Sequence, residues 1–534
     1  MTTVKLRETI DLTDNERKIF DLLLGFLHES NLKTQLRVAG GWVRDKLLGK
    51  DSDDIDIAID DMTGSEFLET FQDYFSNKVG EVVNIHIIKS NPKKFKHLET
   101  GKMRLFNQWI DFVQLRKEEA DENSRYPKSA FGTPEEDAYR RDLTINRKLV
   151  EFIRDDDDDA MTGIDDLKSG RIITPLPAKT TFLEDPLRVL RAIRFGAKFC
   201  FTLDEELKEA ASSEEVRVAL ERKICRERIG NEIDMMITGT GPVSAVTYLS
   251  DFKLFGVVFA IPSSSEPSPG TNCGSLCRDY MEAMWNLIQT HGLVNFSSEQ
   301  RRLALYAALF LPFRRMVYKE NKEKLVSVVN YILKNSMKRK FKDAETVISI
   351  HRAAERFKSL ILPLQLKNPV HLDKLDWGSE ILELCESISL NDPKVLATSK
   401  IRVLTGFLLR DIKDFWRVAL LVSLLLYKDD DGMNLDLDKK IEIYLTIQDN
   451  IRELSLDNVW DIKPLMDGEE IIKEVQKEGL VTAKQDRGPI IREWQKKMLT
   501  WKLTYTKGSK EEWMSWMRQK LTRTCVTLEH GESL

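Results

Sequence analysis

The sequence predicts an α+β protein, a small mixed α/β domain followed by a long all-helical remainder. Three observations predict it. Between residues 36 and 175, short runs rich in β-branched and aromatic residues alternate with helical patterns. After Thr181 the apolar residues recur at helical spacing, as in Leu187, Leu190, Ile193 and Ala197, and again through 403–409 and 415–426. At 534 residues the chain is also too long for one core, and length alone suggests about three or four packed units. No fixed-period repeat stands out.

In chain order, residues 14–30 carry Ile19, Phe20, Leu22, Leu23 and Phe26 at the spacing of an amphipathic helix. Strands are expected at 54–59, 82–88, 109–115 and 149–153. Three breaks punctuate the rest. The stretch Pro262-Ser263-Ser264-Ser265-Glu266-Pro267-Ser268-Pro269-Gly270 reads as a flexible loop or linker. Asp429-Asp430-Asp431-Gly432 ends a strongly apolar helix, and five aspartates at 155–159 read as a solvated loop because nothing orders them as metal ligands.

Composition narrows the class. With 42% hydrophobic residues, 31% charged residues and a net charge of −5, the chain resembles a soluble globular protein. It has no global electrostatic footprint for nucleic acid, so any such binding needs a local basic face. Lys338-Arg339-Lys340 and the segment 496–510, with Trp501 and Tyr505 interleaved, are the basic stretches; a solvated helix face is the plainer reading of each. Six scattered cysteines make no disulfide framework and point to a reducing, intracellular compartment. No run approaches the roughly 18–20 apolar residues of a membrane span. Residues 1–16 are not Arg/Ser-rich, so no signal or transit peptide is evident.

The most informative stretch is Gly40-Gly41-Trp42-Val43-Arg44-Asp45, followed nine residues after Asp45 by Asp54-Ile55-Asp56-Ile57-Ala58. In a strand, alternate side chains share a face, so Ile55, Ile57 and Ile59 would face a core while Asp54 and Asp56 stand together opposite. Adjacent carboxylates repel unless neutralised, and hard divalent cations carrying substrate phosphates do this commonly. Gly40 and Gly41 ahead of a helix would leave amide N–H groups free for an anion, and Arg44 would add a cation. A two-metal transfer site needs a further carboxylate on a neighbouring strand. Asp111 is the candidate, with a solvent-facing strand-end aspartate as the plain alternative.

Two later clusters extend the pattern. In Arg140-Arg141-Asp142-Leu143-Thr144-Ile145-Asn146 the arginines can clamp phosphate oxygens, and Asp142 can accept from a ribose 2′-hydroxyl. A surface ion-pair cluster would look the same. In Glu184-Asp185-Pro186-Leu187-Arg188, Asp185 and Pro186 read as a helix start. Asp185 and Arg188 also lie three apart on one helical face. An acceptor beside a donor complements cytosine and adenine, which both present an exocyclic amine next to a ring-nitrogen acceptor. Uracil and guanine present a carbonyl where the carboxylate stands.

These motifs, in this order, resemble the class II tRNA nucleotidyltransferases, the CCA-adding enzymes, and among them the eukaryotic, plant-type members. The resemblance is near-continuous from about residue 36 to 260. It implies a polymerase-β-like nucleotidyltransferase head, a mixed sheet with helices, followed by an all-α neck, body and tail. The expected boundaries are an N-terminal helical segment at 1–35, the head at 36–178, the neck at 179–260, a linker at 261–275, the body at 276–428 and the tail at 429–534. It implies Asp54 and Asp56 as Mg²⁺ ligands, with Asp111 as the third catalytic carboxylate. It puts Gly40, Gly41, Arg44, Arg140, Arg141, Asp142, Asn146, Glu184, Asp185, Arg188 and Arg191 at the nucleotide. Asp185 and Arg188 would pair with the incoming base. Arg226-Glu227-Arg228-Ile229-Gly230-Asn231-Glu232 is similar to a family motif that braces the neck helices. One departure follows Asn146: the family usually continues Asn-Ala/Ser-Leu-Phe-Tyr-Asn, whereas this chain reads Arg147-Lys148-Leu149-Val150-Glu151-Phe152.

The resemblance implies addition of C, C and A to the 3′ end of tRNA from CTP and ATP, with release of pyrophosphate. The implied partner is the tRNA acceptor arm, and no membrane is implied. A poly(A) polymerase on the same scaffold shares every motif. A catalytically weakened RNA-binding relative is the other alternative, motivated by segment 147–159. The expected location is cytoplasmic with a further nuclear pool, without organellar targeting.

Overall fold

The computed structural model describes residues 4–52, 54–80, 83–89, 99–119, 128–146, 149–151, 164–270, 272–290, 295–320, 324–369, 372, 375, 377–388, 393–428, 433–477 and 487–531. The chain forms two compact units, one of residues 1–260 with 336–338 and one of 261–335 with 339–534. The aspartate run 155–159, residues 147–148 and the break at 429–432 lie outside the described residues.

The first unit opens with α1 (Asp14–Glu29), started by a capping box in which Thr13 and Glu16 satisfy each other's backbone N–H groups. Its buried face holds Ile19, Phe20, Leu23 and Phe26, as the periodicity predicts. Next come β1 (Leu36–Ala39), α2 (Gly41–Leu47), β2 (Asp54–Ile59), α3 (Gly64–Val79), β3 (Ile85–Ile88), β4 (Thr100–Leu105) and β5 (Gln108–Gln114). A hairpin of β6 (Arg116–Glu119) and β7 (Lys128–Phe131), α4 (Pro134–Arg140) and β8 (Leu149–Glu151) complete the head. Six strands form one sheet in the order β3-β4-β5-β2-β1-β8. β2 and β5 run parallel, because α3, β3 and β4 carry the chain across between them; the other pairs are antiparallel.

The sheet has a dry face and a polar face. Ile55, Ile57 and Ile59 are fully buried. Phe112, the register partner of Ile57 on β5, stacks on Phe67 of α3 at 5.0 Å, and Phe67 meets Phe26 of α1 at 5.4 Å. Both helices therefore cover the isoleucine face. A Cβ on Gly101 of β4 would stand 2.6 Å from the Gly64 carbonyl oxygen, so glycine permits α3 to lie directly on the sheet. The expected strand 54–59 matches β2, β3 is shorter than its expected run and β5 is shifted by one residue; of the expected run 149–153, residues 149–151 form β8 and 152–153 lie outside the described residues. β4 escapes strand propensity because glycine and charges interrupt it, yet its burial alternates: Gly101, Met103 and Leu105 face in, Lys102 and Arg104 out.

The helices that follow in this unit are α5 (Ile164–Ser169), α6 (Ala178–Glu184), α7 (Leu187–Phe199), α8 (Glu205–Ala211), α9 (Glu214–Lys223), α10 (Arg226–Thr238), α11 (Pro242–Asp251) and α12 (Phe255–Val258). Two short parallel strands, β9 (Arg171–Ile172) and β10 (Thr202–Leu203), lie among them. α7 buries Leu187, Leu190, Ile193 and Ala197, the expected stripe, and packs on α10 and α11.

Among its described residues the second unit is helical with one hairpin of β11 (Val317–Glu320) and β12 (Lys324–Ser327). Its longer helices include α13 (Cys273–Gln289), α14 (Ser298–Leu309), α16 (Phe341–Leu366), α18 (Pro393–Ile412), α19 (Trp416–Leu426), α20 (Leu437–Glu453), α22 (Arg487–Thr504) and α23 (Lys510–Gly531), with short α15 (Val328–Tyr331), α17 (Ser379–Ile388) and α21 (Gly468–Lys477) between them. α19 is apolar on all sides and is buried accordingly. The serine- and proline-rich stretch is no free linker: the Glu266 N–H donates to the Val317 carbonyl at 2.8 Å and the Val317 N–H returns the bond at 2.9 Å. Trp501, interleaved among lysines, belongs to a core with Trp494, Trp513, Met498 and Met517 rather than to a basic surface. Lys496 and Lys510 nearby pair with Glu380 and Glu470. Among the described residues no helix is long and apolar enough to cross a membrane.

His351 on α16 is buried, and its Nε2 lies 2.7 Å from the Ala307 carbonyl, which it meets as a donor. Burial pushes its pKa down to about 4 from the usual 6.5. A folded pKa below the unfolded one leaves its stability contribution complete above about pH 6.5 and lost as pH falls toward 4, because the unfolded chain takes up the proton first. Between pH 7 and 4.5 this removes on the order of 2–3 kcal/mol. His351→Gln keeps a donor and has no proton to gain, so urea denaturation should show the variant gaining stability relative to wild type across that interval. A constant difference between the two proteins contradicts this.

Candidate active site

Register builds the carboxylate cluster. Asp56 on β2 lies directly opposite Asp111 on the parallel strand β5, and Asp111 lies opposite Lys102 on β4. Register partners share a face, so these three side chains form a row across the polar face of the sheet. Asp54 stands two residues before Asp56 on the same face and is exposed. Lys102 Nζ reaches Asp111 Oδ1 at 2.9 Å. Burial, then the neighbouring charges of Asp111 and Asp54, push the Asp56 carboxyl up to about 6, with Arg141 and Lys102 opposing. Asp56 is therefore ionised at neutral pH at a cost in stability, which a bound cation would relieve.

The donors here are all carboxylate oxygens, the set that suits a hard divalent ion. Among the described residues no three metal-binding side chains already converge on one point. An ion held by Asp54 and Asp56 would complete its shell from substrate phosphates and water, the usual way Mg²⁺ is bound.

The glycine turn passes beside this row. Gly40 has φ +69° and ψ −124°, a backbone shape that glycine adopts without strain. A Cβ there would lie 2.9 Å from Arg141 Nη1 and 3.6 Å from Asp56 Oδ2, so the missing side chain lets the arginine and the carboxylate approach the turn. α2 is anchored from behind. Trp42 Nε1 donates to Glu16 Oε1 at 2.8 Å, and Lys46 pairs with the buried Glu16 carboxylate at 2.8 Å.

Two expected placements need correction. Arg44 is not a cation presented at the turn. It is 5% exposed, pairs with Asp45 at 2.7 Å, donates to Asn146 Oδ1, and has its guanidinium 4.9 and 4.8 Å from the ring centres of Phe195 and Phe199. Asp142 is not a free acceptor for a ribose hydroxyl. Its Oδ2 takes Arg191 Nε at 2.5 Å, and its Oδ1 takes the Asn146 amide at 3.0 Å and the Leu143 N–H at 2.9 Å. Burial alone would raise this carboxyl, but Arg191 and these donors hold it below the usual range. Both residues sit under a helix that sequence spacing could not bring to them.

They belong to one buried network. Glu232 on α10 accepts from Arg194 Nε at 2.7 Å and faces Arg191 Nη1 at 3.7 Å; Arg191 holds Asp142, Asp142 holds Asn146, and Asn146 holds Arg44. Arg141 joins through the Asn146 carbonyl at 3.3 Å and pairs with Asp137 at 2.9 Å. Sequence reading missed Arg194, Asp137 and Lys102. Arg194 follows Arg191 by three residues on the helix, the one signal that could have found it.

Asp185, just before α7, and Arg188, on it, are both held by partners. Asp185 Oδ1 accepts the Leu187 N–H at 3.1 Å, which is the expected helix-start role, although α7 begins at Leu187. Its Oδ2 accepts from Arg228 at 3.1 Å, so the Arg226–Glu232 motif reaches Asp185 directly. Arg188 donates to Glu184 at 3.3 Å and to the Arg140 carbonyl at 3.2 Å, which ties the face to the head.

Residues 36–173 match the poly A polymerase head domain. The tRNA nucleotidyltransferase cca2 of Schizosaccharomyces pombe is 30% identical over 95% of this chain and 98% of its own length. The mitochondrial CCA tRNA nucleotidyltransferase of Saccharomyces cerevisiae is 44% identical over 47% of this chain and 48% of that protein, and its Candida glabrata counterpart is 29% identical over 96% of each. The CCA-adding enzyme of Bacillus stearothermophilus in complex with CTP shares the fold at a TM-score of 0.59, with 15% identity over 97% of this chain and 100% of that one. The chain belongs to the class II CCA-adding tRNA nucleotidyltransferases. Enzymes of this family use divalent metal ions.

These fungal and bacterial relatives lend no support to a plant-type label. The expected cytoplasmic and nuclear location without organellar targeting is overturned, because two of the relatives are named as mitochondrial. Of the residues from which it was read, Val4 and Arg7 are bonded to the first unit: the Val4 N–H donates to the Lys168 carbonyl and the Arg7 N–H to that of Leu47. Their composition therefore reports a folded segment and carries no information on import.

Removing one partner from a buried ion network leaves the others uncompensated, at a cost of about 3–5 kcal/mol. Glu232→Ala should lower unfolding free energy by that order in denaturant titration, and Glu232→Gln by less. An unchanged midpoint and slope for both variants contradicts the network's structural role.

Proposed function

We infer that this chain adds CMP and AMP residues from CTP and ATP to the 3′ end of tRNA, without a nucleic-acid template, and releases pyrophosphate. The observation that carries the site assignment is the register that sets Asp56 beside Asp111, with Asp54 on the same strand face. In the reaction the terminal 3′-hydroxyl oxygen bonds to the α-phosphorus, the bond from that phosphorus to the bridging oxygen breaks, and pyrophosphate leaves with the electron pair. When bound, a divalent ion, Mg²⁺ on the all-oxygen donor set, neutralises the triphosphate and acidifies the attacking hydroxyl. Asp54 and Asp56 would hold it, with Asp111 as the further carboxylate for the ion that activates the attacking hydroxyl. Arg140 and Arg141 would meet phosphate oxygens. Asp142, Asn146, Arg44 and Arg191 act from within, by fixing Arg141 and α7 against the head.

Base choice would rest on Asp185 as acceptor and Arg188 as donor. Glu184, Arg228 and the Arg140 carbonyl hold the two side chains in place, so the protein itself presents the edge that a template base would. The helices of the second unit would carry the tRNA, through contacts other than Trp501. By likeness to the mitochondrial relatives, the enzyme works in an organelle.

Purified Asp54→Ala/Asp56→Ala protein should lose CMP and AMP incorporation while melting no lower than wild type; retained incorporation contradicts the assignment. Asp185→Asn combined with Arg188→Asp should shift kcat/KM for CTP and ATP against UTP and GTP by about tenfold or more, since one bidentate base contact is worth about 1–3 kcal/mol. Unaltered selectivity in the double variant removes the base-reading role.

A further inference from the structure

Lys102 has no part in the reading above, yet its ammonium touches the carboxylate row. Its strand partner is Asp111, itself the partner of Asp56, so Lys102 stands third in a row on one sheet face. Its ammonium lies 2.9 Å from Asp111 Oδ1 and 5.2 Å from the centre of the Trp109 ring, and the side chain is 28% exposed. Arg141 also faces Asp56, but its guanidinium is committed to Asp137 and to the Asn146 carbonyl. Close packing of Gly101 on Gly64 fixes β4 beneath this lysine, and the aromatic ring on the neighbouring strand guides its stem.

We propose that Lys102 is a resident counter-ion that competes with the divalent ion for Asp111 and keeps the carboxylate row neutralised while no nucleotide is bound. The inference rests on the reading of Asp54, Asp56 and Asp111 as the metal-binding carboxylates. An ammonium on Asp111 supplies part of the positive charge that a cation would bring, and it occupies an oxygen that a cation would use. A divalent ion drawing on Asp111 must displace that ammonium or share the carboxylate with it. The free enzyme therefore binds the ion weakly at Asp111, and the negative charge of an arriving triphosphate offers Lys102 a second partner and releases the carboxylate. The lysine acts on metal occupancy through Asp111, so it is a positioning residue.

The test is Mn²⁺ binding to the full-length protein without tRNA or nucleotide, read as free Mn²⁺ by electron paramagnetic resonance. Five proteins are compared: wild type, Lys102→Met, Lys102→Thr, Lys102→Arg and Asp54→Ala/Asp56→Ala. Lys102→Met keeps an unbranched side chain and removes the charge, so it should bind Mn²⁺ about tenfold more tightly or take up one more ion. Lys102→Arg should stay near wild type. Lys102→Thr, which favours a strand, should behave as Lys102→Met and guards against a local folding defect. Unchanged isotherms in both uncharged variants, with binding lost in the double aspartate variant, overturn the competition and leave the metal reading intact. Unchanged binding in the double aspartate variant overturns both.

Discussion

The parallel, in-register pairing of β2 with β5 is the constraint on which the site depends. It sets Asp56 against Asp111 on one face of the sheet while Ile57 and Phe112, one residue on, lock the opposite face to α3. The packing that stabilises the head therefore forces like charges together, and the strands cannot slip to relieve them without exposing the isoleucines. Burial and these neighbours hold the Asp56 carboxyl near 6, above its ordinary range. Such a row favours cations, and two kinds are at hand: the protein's own Lys102 and Arg141, and the divalent ion that the family uses.

The second dependence is the buried chain of charges from Glu232 through Arg191 and Asp142 to Asn146 and Arg44. Its value lies in position. Each member is held by the next, so the start of α7, with Arg188 on it and Asp185 just before it, is tied to the end of α4, where Arg140 and Arg141 stand. Asp185 and Arg188, proposed to read the base, and Arg140 and Arg141, proposed to meet phosphate, are thereby fixed within one unit. Residues that spacing alone assigns to the nucleotide, Arg44 and Asp142, turn out to do the fixing.

Much of this was legible in the sequence, for identifiable reasons. The alternation in β2 is read directly from Ile55, Ile57 and Ile59 against Asp54 and Asp56, and burial follows it. The α7 stripe is equally plain. Asp111 as a neighbour of Asp56 could only be conjectured, since pairing register is a tertiary property. β4 was not legible, because Gly101 and its charged neighbours hide a strand whose alternation appears only against α3. Arg44 was misplaced because a charge beside a glycine turn reads as a ligand for substrate, whereas α7, about 150 residues on, supplies the rings it packs on; Asp142 was misplaced because an aspartate beside two arginines reads as part of a binding cluster, whereas Arg191 on α7 takes it. Trp501 was ambiguous for the same reason: a tryptophan among lysines suits an RNA surface or a core, and Trp513 decides for the core.

The central claim is that this carboxylate row and the Asp185–Arg188 edge together build a defined three-nucleotide end without a template. Incubating the purified protein with tRNA lacking its 3′ CCA, with each of the four nucleoside triphosphates alone and then all together, and reading product length at single-nucleotide resolution, tests that claim most directly. The account predicts two added residues with CTP alone, none with UTP or GTP, and three with CTP and ATP, with growth stopping there. Long adenylate tails, or steady incorporation of UTP or GTP, would contradict it.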